Sequence, residues 1–228
     1  VASKAQRIQF QEGGTQRWLL GQGAASETSA FELYNSAGVM SLTVNRSTNL
    51  ATFANGITLT DGNLTVAAGH GINFAAQSAS GATGASATAE VLNHYEQGTF
   101  TPILQNSGGV PVDAYAVVVG AYVRVGARVH CHGYVVANGI TNPGNNPIQL
   151  GGFPFDNVAV TNGHSPLCVG WGNNLNITAG QHIGGYLAPN ATLASVFLWD
   201  SAVGATAMTF GELSADGGFM FSISYNAV

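Results

Sequence analysis

The chain has 228 residues, of which 46% are hydrophobic and 7% are charged, and its formal net charge is −5. This hydrophobic content excludes intrinsic disorder, which requires low hydrophobicity and high charge. Gly, Asn, Ser or Thr interrupts every apolar run well before the roughly 20 residues of a membrane-spanning helix. We therefore expect an ordered protein that does not insert into a membrane.

The distribution of charge narrows the choice of partner. All six Lys and Arg residues lie at or before Arg128, and the residues after it include acids but no Lys or Arg. A nucleic-acid groove needs clustered cations that neutralise phosphates. We therefore expect no nucleic-acid partner and no binding to an anionic membrane. The chain begins with Val1 rather than Met, and we expect it to be part of a longer protein.

Residues 1–74 predict short β-strands joined by tight turns. The segments "RIQF" and "RWLL" flank the turn "QEGGTQ", and "FELY" precedes "VMSLTV" across "NSAG". A loose repeat of three strand-and-turn units follows, with apolar pairs at Ile57 and Leu59, Leu64 and Val66, and Ile72 and Phe74. One such unit cannot bury its apolar face alone. We expect an intertwined trimeric, β-rich shaft; a solenoid and an ordinary small β-domain are the alternatives.

Residues 75–98 predict a linker or neck. The run "AAQSASGATGASAT" has small side chains, which let three backbones run close together or leave one flexible. The best helical candidate of the chain, "ATAEVLNH" at 87–94, follows it.

The segment "HYEQGTFTPIL", His94–Leu104, places a His, a Tyr, a carboxylate and a Thr close together. One interpretation is catalytic, with Glu96 as an acid assisted by Thr99. We favour a structural interpretation, in which Pro102 keeps the segment at a sheet edge or strand start and Gly98 permits a bend. Phe100 and Ile103 are then expected to be buried, and Glu96 to cap the turn or pair with Arg124 or Arg128.

Residues 99–228 predict a β-sandwich or jelly-roll head, because short strands alternate with Gly, Pro and Asn turns. The candidate strands include "TFTPILQ", "YAVVVGAYVRV", "RVHCHGYVVA", "PIQLG", "NVAVT", "PLCVGW", "LNITAG", "HIGGYLA", "LASVFLW", "AMTFGEL" and "FMFSISY". The clearest hairpin turns at Gly126-Ala127. It places Val129, Cys131 and Gly133 on one face and His130, His132 and Tyr134 on the other. Both cysteines, Cys131 and Cys168, are expected to be buried free thiols.

These motifs resemble the C-terminal part of bacteriophage tail fibres and related virion appendages. In that group a Tyr-Glu-x-Gly-Thr-aromatic-Thr-Pro motif opens the terminal domain, and a Tyr-x-basic-aliphatic-Gly-x-x-Val strand pair follows. The matching residues are Tyr95, Glu96, Gly98, Thr99, Phe100, Thr101 and Pro102, then Tyr122, Arg124, Val125, Gly126 and Val129. The resemblance implies a homotrimer with a fibrous N-terminal part and a receptor-binding tip in a virion tail.

The candidate glycan-binding residues combine aromatic faces with neighbouring hydrogen-bonding side chains. They lie in "GWGNNLN", "HIGGY" and "FLWDS" and comprise Trp171, Asn173, Asn174, His182, Tyr186, Trp199 and Asp200. The alternative for each Trp is an aromatic residue of the core or of a subunit interface.

Two further sets of residues raise the possibility of catalysis or metal binding. A glycosidase needs two acids about 5 to 9.5 Å apart, and Asp200, Glu212 and Asp216 are the candidates. His130 and His132 point the same way from a strand, so three copies would supply six imidazoles to a metal ion. Such sites occur in some trimeric phage fibre tips. We favour neither chemistry, and we expect no enzyme activity, no cofactor and no metal.

The sequence therefore predicts a trimeric fibre tip that adheres to a bacterial surface polysaccharide or outer-membrane component. One alternative is a tailspike that hydrolyses glycans. The other is a bacterial adhesive fibre of phage-like architecture, which would lie on the cell surface rather than in a virion tail.

Overall fold

The structure is a computed structural model that describes residues 7–22, 30–67, 70–74, 91–92, 94–141 and 146–227. The chain divides into two compact units, residues 1–65 and 66–228. The fold is all-β, as predicted, because the described residues form 17 strands and one four-residue helix. That helix is too short to cross a membrane, and the described residues contain no other.

The N-terminal unit is built on one five-stranded antiparallel sheet in which the strands follow one another in chain order. The two predicted hairpins are confirmed, and Gly13 and Gly14 turn the first with φ values of 58° and 79°. The strands are β1 (Arg7–Glu12), β2 (Thr15–Gln22), β3 (Phe31–Asn35), β4 (Met40–Val44) and β5 (Ala51–Phe53).

The strands predicted in the loose repeat are largely wrong. Residues 54–67 contain no strand, and Ile57, Leu59 and Leu64 are exposed. Only the third unit forms one, β6 (Ile72–Asn73), which pairs with β7 (Val91–Leu92). The second strand of that pair also shows that the predicted helix is wrong at Val91 and Leu92. The rest of that segment up to residue 90, with the linker 75–88, lies outside the described residues.

The C-terminal unit is built around a ten-stranded sheet. Its strands are β8 (Tyr95–Phe100), β9 (Ile103–Asn106), β10 (Tyr115–Val125), β11 (Arg128–Ala137), β12 (Ile148–Gly151), β13 (Ser165–Asn173), β14 (His182–Leu187), β15 (Ala194–Asp200), β16 (Gly204–Ala207) and β17 (Gly218–Asn226). The hairpin β10–β11 turns at Gly126-Ala127 as predicted, and the two faces of β11 carry the predicted residues.

The order of these strands forces the sheet to curl. It runs β8-β10-β11-β17-β13-β14-β15-β12-β9, with β16 attached to β15. Thus β8 and β9 lie at opposite ends, although only Thr101 and Pro102 separate them in the chain. Nine strands laid flat would span about 38 Å at about 4.8 Å per strand. The link from Phe100 to Ile103 reaches at most about 11 Å, so the sheet bends until its ends meet.

The curled sheet encloses one hydrophobic core. The inner faces of β11 and β17 contribute residues such as Val129, Val135, Phe219 and Tyr225, all fully buried. Three glycines of the inner face lie opposite aromatic residues, and an added Cβ would come within 2.9 Å of each facing ring. These pairs are Gly98 with Tyr122, Gly120 with Phe100, and Gly133 with Phe221. Each ring therefore lies across the backbone of its neighbouring strand.

At the corner between β8 and β9, the backbone lies close to the backbone of the residue that follows β12. Pro102 is buried there, and its fixed φ and missing N–H suit a break between strands. Gly152 follows β12 with a φ of 81°, and an added Cβ would overlap the carbonyl oxygen of Thr101. Leu104 is fully buried, whereas Ile103 is 39% exposed. The predicted burial of Ile103 is therefore wrong, because the corner turns Leu104 inward instead.

The polar residues of the segment around Glu96 form one hydrogen-bonded cluster. The Tyr122 hydroxyl donates to Glu96 Oε1 at 2.6 Å, and His94 Nε2 lies 2.9 Å from Glu96 Oε2. These contacts, that of Tyr122 first, lower the pKa of the Glu96 carboxyl below its ordinary value of 4.5. The partners join the start of β8 to β10, which agrees with the structural interpretation of this motif.

Three strand predictions in the C-terminal unit are wrong. The segments "NVAVT" and "LNITAG" form no strand, and "AMTFGEL" contains the helix α1 (Phe210–Leu213). The sequence signal for α1 is a capping box, in which Glu212 Oε2 accepts hydrogen bonds from the backbone N–H and the hydroxyl of Thr209. Burial of Phe210 and Leu213 holds this short turn in place.

The corner contact can be tested with Gly152→Ala. The left-handed backbone alone costs about 1–2 kcal/mol for a residue with a Cβ, and overlap with Thr101 adds to it. We expect the loss of unfolding free energy in urea to exceed that range. Gly109→Ala is the control, because Gly109 has a φ of 80° but open space around it. Equal losses in the two variants would contradict the corner contact.

The Glu96 cluster predicts a pH dependence of stability. A lowered folded pKa stabilises the fold above about pH 4.5, and this contribution is lost as the pH falls through the folded value. Glu96→Gln should lower the melting temperature near pH 7 and reduce its dependence on pH below about 4.5. The change should be small, because the carboxylate is partly exposed. Tyr122→Phe removes the main cause and should weaken the same dependence; an unchanged profile in both variants would refute the role of the cluster.

Candidate functional site

The outer faces of β14 and β15 carry most of the predicted aromatic residues. Strand alternation turns Ile183 and Leu187 of β14 into the core and His182 and Tyr186 outward. On β15 the same alternation buries Val196 and Leu198 and turns Phe197 and Trp199 outward. The two strands pair directly, and their register places His182 opposite Trp199 and Gly184 opposite Phe197.

The four outward residues form what we call the aromatic strip: His182, Tyr186, Phe197 and Trp199. The rings of His182 and Trp199 lie 5.1 Å apart. Tyr186 stacks on Phe197 at 5.5 Å with an interplanar angle of 16°, and His164 meets the Tyr186 ring edge-on at 4.8 Å. Trp199 is 48% exposed. The strip therefore presents ring surface to solvent along two neighbouring strands.

A depression of about 260 Å³ lies at the His182 end of the strip and includes Trp171 in its wall. Trp171 is 46% exposed, so neither predicted tryptophan belongs to the core. Gln181 also lines the depression, and its side-chain oxygen accepts a hydrogen bond from the Thr178 backbone N–H at 2.9 Å. Three strands thus contribute to this region, because His182 lines the depression with Trp171 and also contacts Trp199.

The other predicted glycan-binding residues take part in turns. Asp200 Oδ1 accepts hydrogen bonds from the backbone N–H groups of Val203 and Ala202, both at 2.8 Å, and these lower the pKa of its carboxyl. Asn174 has a φ of 50° and donates to Asp216 Oδ2 at 3.1 Å. Asn173 ends β13, and its side-chain oxygen is buried. The Asp200 and Asn174 side chains are therefore engaged in local hydrogen bonds, whereas the Asn173 oxygen is shielded from solvent and has no partner among the described residues.

Sequence reasoning missed Phe197 and His164. Phe197 precedes Trp199 by two residues, so strict alternation in "ASVFLWD" was a sufficient signal for a shared face. His164 lies just before β13 and reaches Tyr186 only through the pairing of β13 with β14. No local pattern in the sequence indicates that contact.

The acids considered for catalysis also make local hydrogen bonds. Glu212 caps α1 through Thr209. Asp216 accepts from Asn174 and from the Ser214 hydroxyl, the latter at 3.0 Å. Together with the turn formed around Asp200, these contacts give each of the three candidate acids a structural role.

The two histidines of β11 are exposed on the outer face. His130 Nδ1 lies 2.8 Å from the Ser224 hydroxyl, and the rings of His130 and His132 are 6.2 Å apart. No group of three or more His, Cys, Asp or Glu side chains suited to a metal ion occurs among the described residues.

The two cysteines lie on opposite faces of the sheet. Cys131 is buried, and burial raises the pKa of its thiol to about 11. Cys168 is exposed, so the prediction that both thiols are buried is wrong. The reason is the register of β13, which turns Leu167 inward and Cys168 outward.

A second surface feature on the C-terminal unit is an apolar groove of about 550 Å³ on the outer face of β10, β11 and β17. Val119, Ala121, His132, Tyr134 and Met220 line it. Val119 is 57% exposed and Met220 is 45% exposed. The ring of Tyr134 meets Trp171 at 5.7 Å, so Trp171 lies between the groove and the depression.

The chain matches no protein-family model, and no curated protein sequence is similar to it. Among solved structures, it is similar to the crystal structure of the Dettilon tailspike protein, at 17% sequence identity and a TM-score of 0.48. The similarity covers 58% of this chain and 24% of that chain, so this chain spans about a quarter of the tailspike's length. A similarity at this level does not define a family for the chain.

Proposed function

We propose that the chain is the receptor-binding part of a homotrimeric bacteriophage tail fibre, which adheres to a glycan on the bacterial surface without hydrolysing it. The observation that carries this proposal is the aromatic strip with its adjoining depression. The motif from Tyr95 to Pro102 supports the assignment to a virion tail, through its resemblance to the start of tail-fibre terminal domains.

Sugar binding is supported by the chemistry of the strip. Trp199 and Trp171 are about half exposed on the sheet, whereas large aromatic residues normally stay mostly buried. Sugar rings have apolar faces that pack on such rings and hydroxyl groups that need hydrogen-bonding partners. Trp, Tyr and His offer both an apolar ring and a polar group.

Adhesion without hydrolysis is supported by the hydrogen bonds that the three candidate acids make within the fold. A glycosidase keeps one acid and one base or nucleophile free on either side of the scissile bond. Asp200, Glu212 and Asp216 instead hold turns and a helix cap. None of them lines the depression beside Trp171.

Association of three copies is supported by the apolar surface of the chain. Large hydrophobic residues such as Ile57, Leu59 and Leu64 of the N-terminal unit are more than half exposed. On the C-terminal unit, the apolar groove has few hydrogen-bonding groups and suits contact with another copy better than contact with a sugar. Three weak glycan sites on one rigid assembly would then bind together with high avidity.

The glycan-binding proposal predicts the effect of Trp199→Ala. Truncation of a central aromatic contact weakens binding by about tenfold to a hundredfold, while exposure of Trp199 leaves the fold intact. Binding to an array of bacterial polysaccharides, followed by titration of the strongest ligand, measures the effect.

Tyr95→Ala is the control, because Tyr95 is an exposed aromatic residue on an edge strand of the same sheet, outside the aromatic strip. Equal losses in both variants would argue against the strip. Release of reducing ends from a bound polysaccharide would contradict adhesion without hydrolysis.

The trimer proposal predicts a mass of three times the 23.3 kDa chain by light scattering at micromolar concentration. Val119→Asp places a charge in the apolar groove and should shift the protein toward monomer. Val203→Asp is the control, because Val203 is 68% exposed and lies outside the groove. A monomeric wild-type protein would refute the trimer.

A further inference from the structure

We infer that the aromatic strip binds an uncharged stretch of glycan chain that lies along β14 and β15 and crosses the outer face of Gly184. This inference rests on the proposed function, and it specifies the class of ligand, its direction and the residue that gives it room. Its evidence is the spacing of the rings, the open space between them and the absence of cationic side chains.

The rings form two contact points separated along the strands. His182 and Trp199 form one pair, and Tyr186 and Phe197 form the stacked pair beside it. Successive outward residues of a strand lie about 6.6 Å apart, so His182 and Tyr186 are separated by about 13 Å along β14. On β15 the two pairs are only one such step apart, from Trp199 to Phe197, so it is contact with all four rings, from His182 to Tyr186, that requires an extended chain.

Gly184 provides the space between the two contact points. It is the outward residue between His182 and Tyr186, and a Cβ added there meets only the Leu167 carbonyl oxygen, at 4.0 Å. Glycine weakens a strand interior and often marks a place where a ligand approaches the backbone closely. Here no neighbouring side chain fills the space, so the backbone of β14 is open to a ligand.

The strands that carry and flank the strip contain no Lys or Arg side chain. The residues after Arg128 include no Lys or Arg, and the outward neighbours of Tyr186 across the sheet are Ser195 and then Gln149. Recognition of carboxylate or phosphate groups normally uses Arg or Lys. The strip therefore suits hydroxyl-rich, uncharged sugars.

The exposed thiol of Cys168 reports on the occupied space. Cys168 lies directly opposite Gly184 in the pairing of β13 with β14, on the same outer face. Paired residues of antiparallel strands have Cα atoms about 4.5–5.5 Å apart. Cys131 is buried with a raised thiol pKa, so a thiol reagent should react at Cys168 and spare Cys131 in the folded protein.

The test uses the intact chain and two sets of purified bacterial polysaccharides, one neutral and one bearing uronate or phosphate groups. We expect only neutral members to bind and to slow the reaction of Cys168 with fluorescein maleimide. Prior labelling with this bulky reagent should weaken binding by about tenfold or more. A methylthio group on Cys168, added by methyl methanethiosulfonate, should leave binding nearly unchanged.

Gly184→Val provides an independent arm. Valine suits a strand and its Cβ has room, so the variant should fold, as thermal unfolding will show, yet lose binding by about tenfold or more. Gln97→Val on the outer face of β8 is the matched control.

The outcomes separate the two proposals. Binding of polysaccharides that neither Gly184→Val nor labelled Cys168 impairs would overturn the path across Gly184 and leave the proposed function, which Trp199→Ala tests, standing. Preference for the acidic set would overturn the ligand class. A change of oligomeric mass in Gly184→Val would make the strip a contact between copies. Failure of every polysaccharide to bind would overturn both proposals.

Discussion

The two-residue link between β8 and β9 is the constraint on which the C-terminal unit depends. Because Thr101 and Pro102 join strands at opposite ends of the order, the sheet has to curl, and its inner face becomes a closed core. The curl brings chain segments so close that any side chain at position 152 would overlap the backbone of Thr101. Aromatic rings lie directly over other glycines. The high glycine content of the chain is in part a consequence of this geometry.

The curl also determines what the outer face can present. Once the inner residues of each strand fill the core, alternation turns every second residue to solvent. On β10, β11 and β17 these outward residues form an apolar groove, and on β14 and β15 they form the aromatic strip. The two surfaces differ in hydrogen-bonding capacity, which is why we assign the first to contacts between copies and the second to a glycan.

Local sequence patterns predicted the elements whose partners are near in the chain. The hairpin β10–β11 is an example, because two alternating strands and the Gly126-Ala127 turn specify its register together. The repeat around Ile57 and Leu64 has similar alternation but forms no strand in residues 54–67, since an apolar pair alone supplies no hydrogen-bonding neighbour. The segment "AMTFGEL" has a strand-like pattern but contains a helix, because the capping box of Thr209 and Glu212 favours a helix start.

The sequence by itself determined the all-β class, the lack of cationic charge after Arg128 and the identity of most aromatic residues in the candidate site. Only the tertiary structure decided which of them meet. Trp171, His182 and Trp199 lie on three strands, and their proximity depends on strand order and register, which no local pattern encodes. The pairing of β13 with β14 likewise places Cys168 on the outer face opposite Gly184. Asp200 is engaged in a turn, because its carboxylate accepts hydrogen bonds from the backbone N–H groups that follow β15.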